Sequence, residues 1–305
     1  MFSIIIPTYN RQRELLDSLH SINSLKGDKR LFEVIIIDDA SESDYHLDVS
    51  TFSFDIYFVR LSKNSGPSIA RNTGAMMAKY EWLLFLDDDD YYFPCKLIKL
   101  MEAICEYPEC ELFYHRALIH MRNEGFSYRT NLSDYSSCYE IKNIALNKNP
   151  LGGMPNIIIK KDLFIKIGMF DVNLKAIEDY ELVIRLALWY PDINIKYIDK
   201  VLTGCNFLTK KKSVSKSYGN TKQACDYIKI KYNLTGDSLN SFVVNEKLMC
   251  AYSYLMNNNR KSAVFYFQGF IFSLRLRYLF LAILCVLSPQ IIFFIKKVNK
   301  KGSIN

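Results

Sequence analysis

Short apolar runs alternate along the first hundred residues with longer segments whose apolar positions recur every three or four residues. The runs at residues 3–6, 33–37, 54–61 and 82–86 have the length and β-branched or aromatic character of strands buried on both faces. The intervening segments read as helices. The first has Asn10 as a possible cap, with Leu15, Leu16, Leu19, Ile22 and Leu25 on one face. The second opens with Pro67 near its first turn and carries Ile69, Ala70, Met76 and Met77. The third begins near Pro94, with Leu97, Ile98, Met101 and Ile104 expected to face inward. Strand and helix alternating across short loops predict a parallel, doubly wound sheet. In such sheets ligands bind beyond the carboxyl ends of the strands.

The periodicity weakens over 111–149, which reads as an excursion of loops around a site or over the surface. A flexible loop, Leu151-Gly152-Gly153-Met154-Pro155, precedes a strand-like run at 156–159. A helix then opens near Glu178 and Asp179, with Leu182, Val183, Leu186 and Ala187 inward. Carboxylates in a first turn complement the helix dipole, and charge capping alone would explain the pair. Residues 221–272 read as helical, with Ala224, Ile228, Leu248, Tyr252 and Leu255 inward. The stretch 278–295 is almost wholly apolar but is divided by Ser288-Pro289-Gln290. Its length is near the lower limit of a spanning helix, with basic residues at both ends. That pattern predicts an in-plane or re-entrant anchor, with a full span or a buried core helix as alternatives.

Composition narrows the class. The chain has 305 residues, half of them hydrophobic, enough for one large α/β domain with an appendage. Its net charge of +7 is concentrated late in the chain and points to an anionic partner such as a membrane surface or a phosphorylated ligand. Nucleic acid is not expected, because no basic face interleaved with aromatic residues accompanies a recognition motif. The eight cysteines follow no metal spacing and read as free thiols in a reducing compartment. The first residues carry no basic leader, so the N-terminal part is expected in the cytoplasm.

Two strands end in acid. The second runs into Asp38-Asp39, and the fourth, Glu81-Trp82-Leu83-Leu84-Phe85-Leu86, runs into Asp87-Asp88-Asp89-Asp90. Carboxylates this close repel one another, and one or more takes up a proton unless a cation sits among them. Oxygen ligands at alternate positions suit Mg²⁺ or Mn²⁺ bridging to substrate phosphates, and a solvated acidic turn is the alternative. Both acidic ends should face one crevice. No G-x-G-x-x-G follows the first strand, which argues against a dinucleotide-binding oxidoreductase.

Taken in order, Ser3-Ile4-Ile5-Ile6-Pro7-Thr8-Tyr9-Asn10, Ile37-Asp38-Asp39-Ala40-Ser41, the stretch 64–74, Leu86-Asp87-Asp88-Asp89-Asp90, Gly168-Met169-Phe170-Asp171 and Glu178-Asp179 resemble a family 2 glycosyltransferase. The resemblance is to bacterial enzymes of polysaccharide and O-antigen synthesis. It implies an α/β GT-A fold, Rossmann-like, with a mostly parallel sheet flanked by helices. Residues 1–218 would form that domain and 219–305 a helical, membrane-associated appendage with its anchor at about 273–301. The resemblance further implies that Pro7, Thr8, Tyr9, Asp39, Arg71, Asp87 and Asp88 hold the nucleotide-sugar. Asp89 with Asp87 would bind Mn²⁺ or Mg²⁺, Asp179 would be the general base, and Gly153, Met154 and Glu178 would lie on the acceptor side. Family members often carry a histidine near a Ser-x-Ser after the sheet. Here Lys210-Lys211-Lys212 precede Ser213-Val214-Ser215 instead. Those lysines would contact the diphosphate or form a solvated run.

The expected activity is inverting transfer of a sugar from a nucleotide donor, a UDP-sugar first, to a polyprenyl-linked glycan at the cytoplasmic face of a bacterial inner membrane. The alternative is a non-catalytic, membrane-attached binder or scaffold with the same fold.

Overall fold

The apolar runs at 3–6, 33–37 and 82–86 are strands covered on both faces, whereas the run at 54–61, expected to be buried, lies at the sheet edge with Tyr57 and Phe58 exposed. The computed structural model describes residues 1–45, 47–210 and 217–301, with side chains through Val298. Its first half contains β1 (Phe2–Thr8), α1 (Gln12–Asn23), β2 (Phe32–Asp38), β3 (Asp55–Arg60), α2 (Pro67–Met77), β4 (Trp82–Phe85), β5 (Tyr91–Tyr92) and α3 (Lys96–Glu106). On β1, Phe2, Ile4 and Ile6 enter one core layer, while Ile5 enters the other. Alternate side chains of a strand point to opposite faces, so a strand with helices on both sides must be apolar throughout.

The chain continues through β6 (Leu112–Met121), β7 (Phe126–Arg129), α4 (Cys138–Ala145), β8 (Ile157–Lys160), α5 (Lys161–Lys166), α6 (Glu178–Trp189) and β9 (Ile195–Phe207). The sheet order is β3-β2-β1-β4-β8-β6-β9-β5, with β7 paired to β6. The four strands β3-β2-β1-β4 are parallel, as the alternating pattern implies. Beyond them the sheet is mixed: β8 is antiparallel to β4 and β6, β9 is parallel to β6, and β5 and β7 are antiparallel edges.

The excursion over 111–149 therefore contains a ten-residue strand, β6, whose long pairing with β9 is interrupted only near His115 and Arg116. Those two residues, with His120, break the apolar run that would otherwise have marked it. Two local expectations are also corrected. Asn10 does not cap α1; its side-chain carbonyl accepts from the Glu42 amide at 2.8 Å. In α3 the inward face is Leu97, Leu100 and Ala103, while Ile98 and Met101 point outward. The buried stripe follows the i, i+3 spacing of Leu97, Leu100 and Ala103, with Ile104 packed beside it, because that is the face set against the sheet core.

Five helices close the described residues: α7 (Tyr218–Lys231), α8 (Gly236–Met256), α9 (Ser262–Ser273), α10 (Leu276–Leu287) and α11 (Pro289–Lys301). Cys225, Ile228 and Phe242 belong to the main core, so α7 and the start of α8 are packed on the sheet. A third cluster joins Ala117, Met121 and Cys205 to Leu255, Tyr266, Ala282, Cys285 and Phe293. The axes of α10 and α11 meet at 117° across Ser288. Among the described residues no single helix is long and apolar enough to cross a membrane. All eight cysteines are free.

The crevice depends on how closely α2 lies on β1. A Cβ at Gly74 would stand 2.6 Å from Ile5 Cγ2, inside contact distance. Gly74→Val should lower stability by about 1–3 kcal/mol through overpacking. Urea unfolding with an unchanged midpoint would show that α2 has room to retreat.

Candidate functional site

The parallel register places the acidic strand ends side by side. Thr8 of β1 pairs with Asp38 of β2, Asp38 with Arg60 of β3, and the Leu86 amide bonds to the Ile5 carbonyl as β4 ends. Eight carboxylates, from Asp38, Asp39, Asp87 to Asp90, Glu178 and Asp179, thus collect around this end of the sheet. Each has a distinct environment, and the differences carry the chemistry.

Asp38 is buried, accepts from the Ser41 amide at 3.0 Å and lies 3.4 Å from Arg60 Nε. Asp39, expected in the nucleotide pocket, accepts from the amides of Ser65 at 2.7 Å and Gly66 at 2.8 Å. It thereby fixes the loop that leads into α2, where Gly66 has φ +89° and Pro67 follows in the first turn. That φ suits glycine, and the fixed φ of proline starts the helix.

The acid block turns tightly after β4, with the Asp90 amide bonded to the Asp87 carbonyl. Asp88 and Asp90 face inward and are buried, whereas the side chains of Asp87 and Asp89 are 39% and 29% exposed. Asp88 accepts from Thr8 Oγ1 at 2.8 Å and from Arg11 at 2.9 Å. Burial nevertheless pushes its pKa up to about 6, with Arg11 opposing and Asp89 assisting. Asp90 is raised further by burial and by Asp87 and Asp89, and it accepts from the Asn206 amide at 2.9 Å. Asn206 also donates to the Asp89 carbonyl, and Ser18 donates to the Asp88 carbonyl. Arg11 spans Asp88 and Asp89, and its own amide donates to Tyr45 Oη at 2.7 Å.

Arg71 joins the block to the opposite wall. From α2 it donates to Asp87 at 2.6 Å and to Glu178 at 2.7 Å, while its guanidinium stands 5.7 Å from the Phe170 ring centre. Asn72, beside it, holds Phe170 through both backbone groups, at 2.9 and 3.0 Å. Arg71, expected on the nucleotide, is therefore buried between two carboxylates, and Glu178, expected on the acceptor side, is its partner.

Asp179 is the exception to this pairing. It follows Ile177, which has φ 55°, in the first turn of α6, and one oxygen accepts from the Tyr180 amide at 2.8 Å. The other oxygen faces the loop before β8, 3.8 Å from where a Cβ would stand on Gly153. Burial, then Glu178, push its pKa up to about 7; the Tyr180 amide and Arg71 pull against them. Met154, beside Gly153, packs into the main core and shapes this loop from beneath rather than facing the cleft. Lys96 supports the same loop from within, 3.1 Å from the Pro155 carbonyl and 2.8 Å from His115 Nε2. Burial holds that lysine well below its usual pKa.

The structure thus brings Thr8, Asp39, Arg71, Asp87, Asp88, Asp89, Gly153, Glu178 and Asp179 together at one end of the sheet, with Pro7 on β1 and Tyr9 exposed beyond it. Lys211, Lys212 and the Ser213-Val214-Ser215 stretch lie outside the described residues, and Lys210 lies at their edge. Sequence reasoning missed Arg11, Ser18, Tyr45, Asn72, Lys96 and Asn206. Only Arg11 had a visible signal, a cation directly after the Pro7-Thr8-Tyr9-Asn10 stretch.

Asp87 and Asp89, partly exposed and at alternate positions, are oxygen ligands of the kind a divalent cation takes, and each already meets a guanidinium, Asp87 that of Arg71 and Asp89 that of Arg11. Among the described residues no three His, Cys, Asp or Glu side chains converge as an all-protein metal cage.

The family model described as Glycosyl transferase family 2 matches residues 3–168. An uncharacterized glycosyltransferase of Haemophilus influenzae is 36% identical over 98% of this chain and 100% of its own length. The putative colanic acid biosynthesis glycosyl transferase WcaA of Escherichia coli is 26% identical, over 62% of this chain and 68% of its own. Among solved structures, residues 1–349 of Staphylococcus aureus TarS in complex with UDP-GlcNAc superpose with a TM-score of 0.59 at 16% identity, covering 87% of this chain and 86% of that one. This chain spans 53% of the longer TarS structure.

The raised pKa of Asp179 has a testable sign. Unfolded, an aspartate ionises near pH 3.9, so ionising it in the fold destabilises the protein progressively from about pH 4 to about pH 7, and fully above. Asp179→Asn should therefore stabilise the free protein by about 2–4 kcal/mol at pH 8 and by little near pH 4. Denaturant unfolding that gave the same difference at both pH values would place the carboxylate in an ordinary environment.

Proposed function

The chain belongs to glycosyl transferase family 2, and from that membership we propose that it is an inverting, metal-dependent enzyme moving a sugar from a UDP-sugar to a polyprenyl-linked glycan. The observation that carries this reading is Asp179, a carboxylate that burial and Glu178 push up to about 7 and that has no cationic hydrogen-bond partner among the described residues, across Arg71 from the partly exposed Asp87. A general base works best with a pKa near the working pH, and a pure binder has no use for one. Support for the donor class comes from the TarS fold, which has been solved with UDP-GlcNAc and with UDP.

In this reading the acceptor enters over Gly153, where the absence of a side chain leaves room beside Asp179. The acceptor oxygen attacks the anomeric carbon, its proton passes to Asp179, and the bond to the diphosphate breaks with both electrons leaving on oxygen. One displacement inverts the anomeric centre. Asp87 and Asp89 would hold Mn²⁺ or Mg²⁺, which supplies positive charge to the departing diphosphate. Thr8, Tyr9 and Asp39 line the nucleotide end, and Asp88 and Asp90, turned inward, hold the turn in shape. Arg71 keeps Asp87 and Glu178 at a fixed spacing, so the donor and acceptor walls stay in register. The acceptor is membrane-borne, and the enzyme works at the cytoplasmic face of the inner membrane.

Two outcomes are expected. Asp89→Asn should cost several kcal/mol of transition-state stabilisation, and chelator should abolish nucleotide release; full turnover in excess chelator would remove the metal from the scheme. Asp179→Asn should lower kcat about 10²–10⁴-fold with donor affinity nearly unchanged. The parent's kcat/KM should fall as pH drops below about 7, where Asp179 takes up its proton. If donor affinity collapsed while bound donor still turned over, Asp179 would be a binding residue.

A further inference from the structure

The last three helices divide their apolar residues between two faces. In α10, Tyr278, Ala282 and Cys285 are buried, while Leu276, Phe280, Ile283 and Leu287, at helical spacing on the other side, are exposed. In α9, Ala263 and Tyr266 are buried, and Val264, Phe267 and Ile271 are exposed. In α11, Ile292 and Phe293 are buried, and Phe294 and Val298 are exposed. The αL residue between α9 and α10, Leu274, adds a 77% exposed side chain. The inward faces are ordinary core. The outward faces have no partner among the described residues, and so many large apolar side chains on consecutive, mutually packed helices mark an interaction site.

Charge identifies the occupant. Nine Lys or Arg and no Asp or Glu follow Glu246, so the whole net charge of +7 resides in this part of the chain. Arg260 and Lys261 precede α9, Arg275 and Arg277 stand at the α9–α10 junction, and Lys296 and Lys297 lie on α11. Apolar faces on helices that carry cations and no acids match an anionic lipid surface, with hydrocarbon below and phosphate at the rim. A protein partner would need acids in return; a second copy of these helices offers none.

We propose that α9, α10 and α11 together form a docking face that lies in the interface of an anionic membrane and does not cross it. The 117° bend across Ser288 keeps α10 and α11 from forming one rod, and each is too short to span alone. The contribution of α9 is new: the hydropathy break alone had placed the anchor after it. The inference deepens the membrane-borne acceptor of the proposed function and rests on that reading for its purpose. On the inward side of α11, Gln290 and Phe293 share with Asn123, Glu124 and Thr209 a cleft of about 370 Å³.

The test is flotation of the full chain, without substrate, on vesicles of phosphatidylglycerol with phosphatidylethanolamine, against vesicles of phosphatidylcholine alone. The parent should float with the anionic vesicles, weaken in high salt and be released by alkaline carbonate. Phe280→Asp with Ile283→Asp, both on the exposed face, should lower flotation at least tenfold while thermal unfolding stays cooperative and nucleotide release with a soluble acceptor is unchanged. Arg275→Gln with Lys296→Gln should reduce binding several-fold on anionic vesicles only. An aspartate variant that floats like the parent would overturn the proposal, as would a parent that resists carbonate, which is the behaviour of a span. A parent that ignores vesicles and dimerises through this face would overturn it in favour of a second copy. Absence of nucleotide release from every variant, with flotation as expected, would instead count against the transferase reading and leave the docking face standing.

Discussion

Crowded carboxylates at one end of a sheet impose the constraint on which the rest of this structure depends. Negative charges this close raise one another's pKa and favour protonation unless something answers each. The protein answers them one at a time: Arg60 lies beside Asp38, two backbone amides hold Asp39, Arg11 spans Asp88 and Asp89, an amide of β9 meets Asp90, and Arg71 spans Asp87 and Glu178. Asp179 is left with a single amide and a pKa near neutrality. Burial raises Asp88 and Asp90 as well, but those two are turned inward and held by Arg11 and β9. Asp179 instead keeps one oxygen facing the Gly153 loop, so geometry together with electrostatics singles out the proposed base.

Arg71 has a second consequence. It leaves α2, reaches the end of β4 on one side and the start of α6 on the other, and so couples elements more than a hundred residues apart in the chain. Its position depends on the packing beneath it. Gly74 lets α2 sit against Ile5, Asn72 clamps the Phe170 backbone, and the Phe170 ring lies near the guanidinium. Behind α6, Glu181 receives Arg185, Lys231 and Tyr232, tying the helix to α7. α7 is thus part of the scaffold behind α6, while the apolar outward faces appear on the later helices.

Local pattern determined much of this chain. The four parallel strands, α1 and α2, the acid-terminated strand ends and the helix that begins at Glu178 were all legible, because each is set by short-range rules. A strand covered on both faces must be apolar throughout, a proline suits a first helical turn, and a block of aspartates ends a strand. The break at Ser288-Pro289 was legible for the same reason. Residue order also carried the family, through the succession of stretches from Pro7-Thr8-Tyr9 to Glu178-Asp179.

Tertiary structure decided the rest. The pairing of β6 with β9 joins segments about eighty residues apart, and the polar residues on β6 hid its strand character. No local rule states that Arg11 answers Asp88 and Asp89, that Asn206 holds the acid block, or that Lys96 lies beneath the Gly153 loop. Each of those contacts depends on which side chains the sheet order brings together. The same holds for the neighbours of Arg71 and Asp39: the fold gives Arg71 two carboxylates and Asp39 two backbone amides. Sequence determines which charges exist; the register of the sheet determines which of them meet, and a carboxylate's pKa is a property of that meeting.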